Sequence, residues 1–474
     1  MTLPVLLLAG CVADGAADGA LDPSFAVVDG LPNVVHATWE APAGRSRVAF
    51  TREGGAEQST PWGEAPDVRV MGLVSGATYT LRAETETADG ALLIGEADFT
   101  VDDLPAAAPR FRVEESDAES WQGEGFLLAA LIGQEESSLI VLNRQGEYVW
   151  RMPARPGTPI PMAHLSADGR GALYVDNDML EGGWAGVGRV AFDGSSHEYR
   201  PIDNVHHDFV ELPEGGIAWL AYESRESTPE EGAAATFTTD AIFVADTFDG
   251  EARQVFSMLD DYGHAPWHVC SHSALEAAQV GGEDFTHGNS LLYDADRDVF
   301  LYTPKYLDAI VAVPREGGAP LWQAGGRFGD FVDEAGDTIN PDEAWLVDGP
   351  ARTWWSHAHM SHAWRDGFVV YDNGSHHDPL QTRVAEYAWS PEDRTLRRTF
   401  EFVAENGVYD PVLGDVRKLD GGNYLVSWTM TGMVTEITPA GEVVWRASTD
   451  IGTAVGRIGY LPSFYPDGEA DGAE

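Results

Sequence analysis

Cysteine and lysine are scarce in this sequence, and each scarcity excludes a class of protein. Cys11 and Cys270 are the two cysteines among 474 residues, so a disulfide-rich scaffold is excluded. Lys305 and Lys418 are the two lysines, and 29 basic residues against 77 acidic residues give a net charge of −48. Because phosphate groups are bound by basic surfaces, no nucleic acid is expected as a partner.

Long hydrophobic runs are also missing. Beyond the first residues, no stretch approaches the roughly 18 apolar residues that a membrane-spanning helix needs. At the start, an apolar run leads into Leu8-Ala9-Gly10-Cys11, which resembles a bacterial lipobox, although no Lys or Arg precedes Cys11. We therefore expect residues 1–22 to be a lipoprotein signal and tether. A lipid on Cys11 would anchor the protein to a bacterial membrane on its periplasmic or extracellular side.

Glycine, proline and aromatic residues are abundant. The sequence contains 52 Gly and 27 Pro, and 10% of its residues are aromatic. Gly and Pro punctuate chains that have many tight turns, and the apolar runs between them are short, alternating and rich in Val, Tyr, Trp and Thr. This pattern predicts an all-β fold, and the length predicts a small domain beside a large one.

The small domain is expected at residues 23–103. Residues 35–39 alternate as a strand that carries a core Trp, and Leu73, Tyr79 and Leu81 have the spacing of a tyrosine corner. These features predict an immunoglobulin-like or fibronectin-III-like β-sandwich. The Pro- and Ala-rich residues 104–109 then form a stiff linker, so we expect the sandwich to fold independently of the residues that follow.

A short pattern recurs six times beyond the linker. In each case a polar Gly or Asp turn is followed by an apolar strand that often ends in an aromatic residue. The instances lie at residues 143–150, 192–199, 248–256, 315–322, 391–400 and 439–445. Intervals of roughly 45 to 75 residues are the length of a four-stranded blade with variable loops. We therefore predict a six-bladed β-propeller over residues 110–465, followed by an acidic tail over 466–474.

Histidines repeat within this region as well. In three predicted blades, a His precedes an apolar run that we interpret as the innermost strand. His206 and His207 precede residues 217–220, His287 precedes residues 299–302, and His359 precedes residues 368–371. Because equivalent ends of neighbouring innermost strands meet at one mouth of a propeller channel, we expect these side chains to surround one pocket.

The segments around these histidines resemble those of bacterial arylsulfotransferases. The matching segments are residues 284–290, 325–327, 206–208, 372–374 and 414–416. The resemblance implies a six-bladed propeller enzyme that acts on small-molecule phenols and aryl sulfates. It implies that a sulfuryl group passes from an aryl sulfate to a phenol through a sulfated histidine, in a ping-pong reaction that uses neither a nucleotide donor nor another cofactor.

The resemblance also implies roles for individual residues. It places the nucleophile at His359, and it uses His287 and Asn289 to hold the sulfuryl oxygens. It makes His207 a polar contact or proton carrier. The other candidates for substrate binding are Lys305, His206, His357 and Arg327.

Two positions depart from the family pattern. Lys305 stands where relatives usually place an arginine, which grips tetrahedral oxyanions through a planar fork, whereas lysine is a point charge. Met360 stands directly after His359, where many relatives have an Asp. His357 and His362 flank His359, so a shift in register would exchange their roles.

Two other classes of function stay open at this point. Loss of turnover through the two departures would leave a non-catalytic binding propeller on the cell surface. A metalloprotein is the second class, because imidazoles are common metal ligands and five are at hand in His206, His207, His287, His357 and His359. No His-x-x-x-His helix motif or Asp-rich calcium loop accompanies them.

The lipid anchor can be tested by fractionation. Cys11→Ser removes the thiol to which the lipid is attached, and we expect this change to move the protein from the membrane fraction to the soluble fraction on immunoblots. Cys270→Ser is the matched control and should leave the distribution unchanged. A Cys11→Ser protein that stays with the membrane would contradict lipidation at this residue.

Overall fold

The computed structural model describes residues 21–133, 136–177, 185–229, 233–267, 282–339, 354–364, 367–390, 392–450 and 452–466. Within these ranges the chain forms strands β1 to β33, numbered in chain order, and three 3-10 turns at Lys305–Leu307, Glu405–Gly407 and Thr429–Thr431. The prediction of an all-β chain is confirmed. Cys11 and Cys270 lie outside the described residues, so the lipid anchor stays a prediction. Nowhere in these ranges does a helix have the length and apolarity that crossing a membrane requires.

Two sheets precede the linker. One contains Ser24–Val28 (β1), Leu31–Thr38 (β2) and Asp67–Val70 (β5), and the other contains Glu57–Ser59 (β4), Gly44–Arg52 (β3), Thr78–Thr87 (β6) and Leu92–Thr100 (β7). Apolar residues of both sheets belong to one buried cluster, with Val35 and Phe50 as examples. The Val74 amide donates a hydrogen bond to Tyr79 Oη over 3.0 Å, and the Trp39 indole donates to Thr85 Oγ1 over 2.8 Å.

Six sheets of four or five strands follow the linker. The strands of each sheet are given in spatial order, from the first strand at one edge to the last strand at the opposite edge. The first three contain Ala454–Leu461 (β33), Phe126–Ile132 (β9), Ser137–Leu142 (β10) and Tyr148–Pro153 (β11); Met162–Leu165 (β12), Gly171–Asn177 (β13), Ala185–Ala191 (β14) and His197–Pro201 (β15); and Val205–Glu211 (β16), Ile217–Ser227 (β17), Ala235–Ala245 (β18) and Arg253–Ser257 (β19), with Glu283–Asp284 (β20) paired to β18.

The other three sheets continue in chain order. They contain Gly288–Asp294 (β21), Val299–Pro304 (β22), Ile310–Pro314 (β23) and Trp322–Ala324 (β24); Met360–Trp364 (β25), Gly367–Asp372 (β26), Arg383–Ser390 (β27) and Thr395–Val403 (β28); and Asp415–Lys418 (β29), Tyr424–Trp428 (β30), Met433–Ile437 (β31), Val443–Ser448 (β32) and Arg112–Ser116 (β8).

The first strands of these six sheets contact one another in a closed cycle, which we call the ring. The contacts join β33 to β12, β12 to β16, β16 to β21, β21 to β25, β25 to β29, and β29 back to β33. These strands are therefore the innermost ones. Because β33 comes from the end of the chain and pairs with β9 near the start of this region, the first sheet joins the two ends of the ring.

The sequence interpretation named the wrong strand as innermost. The apolar runs at residues 217–220, 299–302 and 368–371 lie in β17, β22 and β26, which are second in their sheets. Every residue of β22 and β26 is buried, because a second strand is covered by neighbours on both edges and both faces. The innermost strands carry polar side chains toward the axis, so they are less continuously apolar.

The recurring turn pattern marks the hairpin between the third and fourth strands of each sheet in the ring. Residues 143–150 join β10 to β11, and residues 439–445 join β31 to β32; the other four instances occupy the same position. Gly146 and Gly441 have φ values of +77° and +84°, a conformation that glycine adopts without steric cost. The repeat seen in the sequence is thus a repeat of tight turns at the rim.

The two N-terminal sheets share a core with the ring. Phe464 lies 4.9 Å from Phe126 and 5.5 Å from Phe192 between ring centres, and it packs against Gly72 of the N-terminal part. The Ser75 amide donates to the Tyr148 carbonyl over 3.0 Å. This shared core weighs against the independent folding that the composition of the linker suggests.

A shortened chain tests this coupling. We expect a chain that begins at Arg110 to unfold several degrees below the full-length chain, because removal of the N-terminal sheets exposes Phe464 and its neighbours to water. Circular dichroism during heating measures the two midpoints. Equal midpoints would show that the ring and the N-terminal sheets fold independently.

Candidate active site

Three histidines at one end of the ring have a left-handed backbone. Their φ values are 49° at His207, 50° at His287 and 54° at His357, and each lies at or shortly before the start of an innermost strand. This conformation costs a non-glycine residue roughly 1–2 kcal/mol, so the surrounding sheets impose it. By backbone conformation, His357 is the equivalent of His207 and His287, whereas the sequence interpretation gave that position to His359.

The imidazole rings nevertheless converge around His207. Its ring centre lies 4.6 Å from that of His287, 5.2 Å from that of His206 and 6.0 Å from that of His359. All four side chains are buried. We call His206, His207, His287 and His359 the histidine cluster.

His359 is held in one tautomer by its surroundings. Its Nδ1 atom lies 3.1 Å from the Gly414 carbonyl oxygen, and because a carbonyl only accepts, Nδ1 carries the proton. Nε2 then presents a lone pair, and this buried atom has no hydrogen-bond partner among the described residues. Gly414 has φ of +104°, and a Cβ there would lie 1.9 Å from the Tyr371 ring, so only glycine brings this carbonyl so close.

A chain of polar groups leads away from His207. Its Nδ1 atom lies 3.0 Å from Nδ1 of His206, so one of the two donates a hydrogen bond to the other. Nε2 of His206 lies 3.0 Å from a carboxylate oxygen of Asp240, and the His206 ring stacks on Tyr222 at 3.7 Å. This arrangement can carry a proton toward or away from the cluster.

His287 is oriented by a carboxylate as well. Its Nδ1–H donates to Asp284 over 2.7 Å, which turns the other ring nitrogen away from Asp284. The neighbouring Asn289 uses its Nδ2–H to bind the Ala358 carbonyl over 3.1 Å. Asn289 therefore holds the segment that carries His359.

The turn at Lys305–Leu307 lines the same region. Lys305 is 4% exposed, and its Nζ atom lies 5.1 Å from the ring centre of Tyr306. The Tyr306 ring lies between His287 and His357, at 5.5 Å and 5.3 Å. His357 is turned toward His376, with 3.2 Å between their Nε2 atoms.

Arg327 and His362 occupy different surroundings. The Arg327 guanidinium lies 5.3 Å above the ring of Trp267 and 5.4 Å above that of Phe328. The turn that carries Arg327 packs at Gly326 against the Leu307 carbonyl, so it adjoins the Lys305 turn. His362 lines a separate cavity of about 260 Å³ together with His164 and Arg417.

Burial and neighbouring cations keep two of the cluster imidazoles neutral. Burial lowers the pKa of His359 well below its usual value, and Arg457 and Lys305 lower it further. Burial also lowers the pKa of His207, with His287 as the next cause. Neutral imidazoles are nucleophiles and proton acceptors, so the cluster is prepared for both tasks at neutral pH.

Sequence reasoning missed the groups that orient these histidines. Asp240 comes from the third strand of its sheet, outside the histidine segments. Asp284 lies in the segment 284–290, three residues before His287, but was given no role there. Arg457 comes from β33, where it interrupts the apolar residues Val455 and Ile458. An arginine inside an apolar strand was the one available signal.

No group of three or more His, Cys, Asp or Glu side chains in the described part of the chain is placed to hold a metal ion. The histidines instead find carboxylate, carbonyl and imidazole partners from the protein itself, as at Asp284 and Gly414.

Comparisons with known proteins identify the family. None of the curated proteins matches the chain. Among solved structures, a protein of unknown function from Bacteroides caccae shares 13% identity over 72% of this chain and 100% of its own, with a TM-score of 0.43. A putative 6-phosphogluconolactonase from Bacteroides uniformis shares 14% identity over 71% and 99%, with a TM-score of 0.38. A streptogramin B lyase shares 10% identity over 73% and 100%, with a TM-score of 0.34.

These structural likenesses are too distant to carry an argument. The family match is different, because the model of the family described as Arylsulfotransferase (ASST) matches residues 112–453. That segment spans more than half of the chain and includes the whole histidine cluster. The chain therefore belongs to the arylsulfotransferase family and is a transferase.

Proposed function

We propose that this enzyme transfers a sulfuryl group from an aryl sulfate donor to a phenolic acceptor in a ping-pong reaction, with His359 as the nucleophile. The observation that supports it most is the His359 imidazole itself. Its Nδ1–H is engaged by the Gly414 carbonyl, and its Nε2 lone pair is buried without a partner in the described structure. A neutral imidazole nitrogen attacks sulfur and also leaves it again.

In the first half-reaction, Nε2 of His359 attacks the sulfur of the donor. A nitrogen–sulfur bond forms, the bond between sulfur and the phenolic oxygen breaks, and its electron pair leaves with the phenolate. His207 passes a proton to this phenolate and receives one from His206 in its place, so it is neutral before and after the step. The contact of His207 with His206, and of His206 with Asp240, gives that proton a source.

In the second half-reaction, an acceptor phenol takes the place of the departed one. His207 removes the phenolic proton and returns one to His206, the phenolate oxygen attacks sulfur, and the bond to Nε2 of His359 breaks. The neutral imidazole is restored with its Nδ1 proton in place. The two half-reactions are the reverse of one another, so one set of groups serves both.

Lys305 balances the negative charge on the sulfuryl oxygens, and His287 donates to them when both of its ring nitrogens carry a proton. His287 is fixed by Asp284, and Lys305 is buried on the adjoining turn. Positioned donors of this kind act strongly because water is excluded. Asn289, His206 and His357 support the site from its edge, and Arg327 is placed to meet the aromatic part of a substrate near Trp267.

The covalent intermediate is directly measurable. Incubation with 4-nitrophenyl sulfate and no acceptor should release about one nitrophenol per enzyme as a burst and leave a sulfuryl group on His359. His359→Ala should abolish both the burst and the label. Mass spectrometry of peptides locates the label.

Control variants separate this chemistry from general damage. His36→Ala, in the N-terminal part where His36 pairs with Asp67, should leave the burst unchanged. His207→Ala and His287→Ala should slow it by about 10- to 1000-fold. A label that persists in His359→Ala but is lost in His357→Ala would move the nucleophile to His357, and no label from any donor would contradict the ping-pong route.

The cation on the Lys305 turn is tested by a matched pair of variants. Lys305→Arg keeps the charge and adds a fork that fits tetrahedral oxyanions, so we expect an equal or faster burst. Lys305→Met removes the charge and should slow the burst by about 100- to 1000-fold. Stopped-flow absorbance of the released nitrophenolate measures both, and equal rates for the two variants would exclude Lys305 from sulfuryl binding.

The pH dependence of labelling follows from the lowered pKa of His359. A nucleophile whose pKa is lowered stays neutral below the usual histidine range and is protonated only at still lower pH. The rate of label formation should therefore not fall as the pH is lowered through the ordinary titration range of histidine. Quenched-flow labelling at a series of pH values measures this. A fall with a midpoint near 6.5 would show an unshifted imidazole.

A further inference from the structure

Arg457 lies on the axis of the ring, and its side chain is fully buried. One amino group of its guanidinium, Nη2, donates to Asp208 over 3.0 Å and to the Asn289 carbonyl over 2.9 Å. The other, Nη1, donates to Asp415 over 3.4 Å and contacts the sulfur of Met360. Arg457 thus meets residues of β16, β21, β25 and β29 from its own strand β33.

The two carboxylates extend these contacts further. Asp208 accepts from His164 Nε2 over 2.8 Å, and Asp415 lies 3.5 Å from Arg417. Arg417 in turn donates to His164 Nδ1 over 3.0 Å. Arg457, Asp208, His164, Arg417 and Asp415 form a closed circuit that we call the axial network. With β12 included through His164, all six innermost strands of the ring meet at this network or at Arg457.

We propose that Arg457 is a positioning residue for sulfuryl transfer, which fixes Asn289 and Met360 behind the nucleophile and places a permanent positive charge next to His359. This inference rests on the proposed function. Asn289 binds Arg457 through its backbone carbonyl and the Ala358 carbonyl through its side chain. Arg457 therefore reaches His359 along two short paths, through Asn289 to Ala358 on one side and through Met360 on the other.

The charges around His359 define what Arg457 contributes. His207 faces His359 from β16, His287 and Lys305 face it from the β21 end and the following turn, and Arg457 faces it from β33. The carboxylates of Asp208 and Asp415 both accept hydrogen bonds from Arg457. Asp410 is engaged by the Tyr371 hydroxyl at 3.0 Å. After burial, Arg457 is the largest cause that lowers the pKa of His359.

Nothing in the family match assigns this residue. The matched segment ends at residue 453, and Arg457 lies beyond it on the strand that completes the first sheet. Arg457 also contacts Met360, which stands where many relatives have an Asp. Met360 places no third carboxylate against the guanidinium, so the positive charge of Arg457 is shared by Asp208 and Asp415.

The test compares a variant that keeps the charge with one that removes it. Arg457→Lys retains a cation but loses the planar fork, so the pKa of His359 should stay low while the burst with 4-nitrophenyl sulfate slows by about 10- to 100-fold. In Arg457→Met/Asp415→Asn the charge of the network is unchanged in sum, but the Arg457 cation beside His359 is gone. The pKa of His359 should then rise by about 1 unit or more.

Two measurements are made on each protein. Nuclear magnetic resonance of ¹³C-labelled histidine, with the His359 signal assigned from His359→Gln, follows the titration without any turnover. Burst kinetics across pH should show the acid limb of the double variant moving upward by the same amount. Arg45→Met, an exposed position in the N-terminal part, is the matched control and should change neither measurement.

The outcomes separate the inference from the proposed function. A folded double variant with an unchanged His359 titration and an unchanged burst would overturn the positioning role and leave Arg457 as a structural residue. A raised pKa of His359 in an enzyme that never forms a label would support the placement of the charge and overturn the sulfohistidine route. If the double variant fails to fold, Arg457→Lys decides: a burst equal to that of the wild type overturns the role.

Discussion

The guanidinium of Arg457 meets Asp208 and Asp415 at a place that water does not reach, and the six sheets of the ring are arranged around that contact. Removing one partner of a buried ion pair costs about 3–5 kcal/mol, because the remaining charge is left without compensation. An apolar axis would hold six strands together without specifying how they are staggered. A charged axis specifies the stagger, since the groups of β16, β29 and β33 must come to the same height to meet.

The histidines at the mouth of the ring are likewise held in place by buried polar partners. Two imidazoles of the histidine cluster are each oriented by one polar partner. A carbonyl at Gly414 forces the proton of His359 onto Nδ1, while a carboxylate at Asp284 favours a donor at His287. In the proposed reaction, these two partners would orient His359 as the nucleophile and His287 as an oxyanion partner.

Much of the fold could be predicted from the sequence because the turns that separate its strands are marked by short local patterns of residues. Tight turns such as the one around Gly146 recur at the rim of every sheet, and short apolar strands between them predict all-β structure. The histidine segments could also be found, because each is a short pattern of neighbouring residues. Strand order toward the axis could not be read, because the most apolar strand of a sheet is the second one and not the first.

The rest of the site depends on residues that meet only through folding. Asp240 reaches His206 from another strand, and Arg457 reaches Asp208 across 249 residues. No spacing rule connects such pairs. The distinction between His357 and His359 was equally out of reach, because two histidines separated by one alanine satisfy the same pattern. Only their backbone conformation and ring contacts in the folded chain tell them apart.

The closure of the first sheet by β33 has a consequence for how the protein is made. Gly125 and Tyr460 are hydrogen-bonded although 335 residues separate them. At roughly 5–20 residues per second, a ribosome needs about 15–70 seconds to make the intervening chain. During that time the inner edge of β9 has no partner, and an unpaired edge is a template for association with other chains. A chaperone or slow secretion in an unfolded state would protect this edge until the last strand emerges.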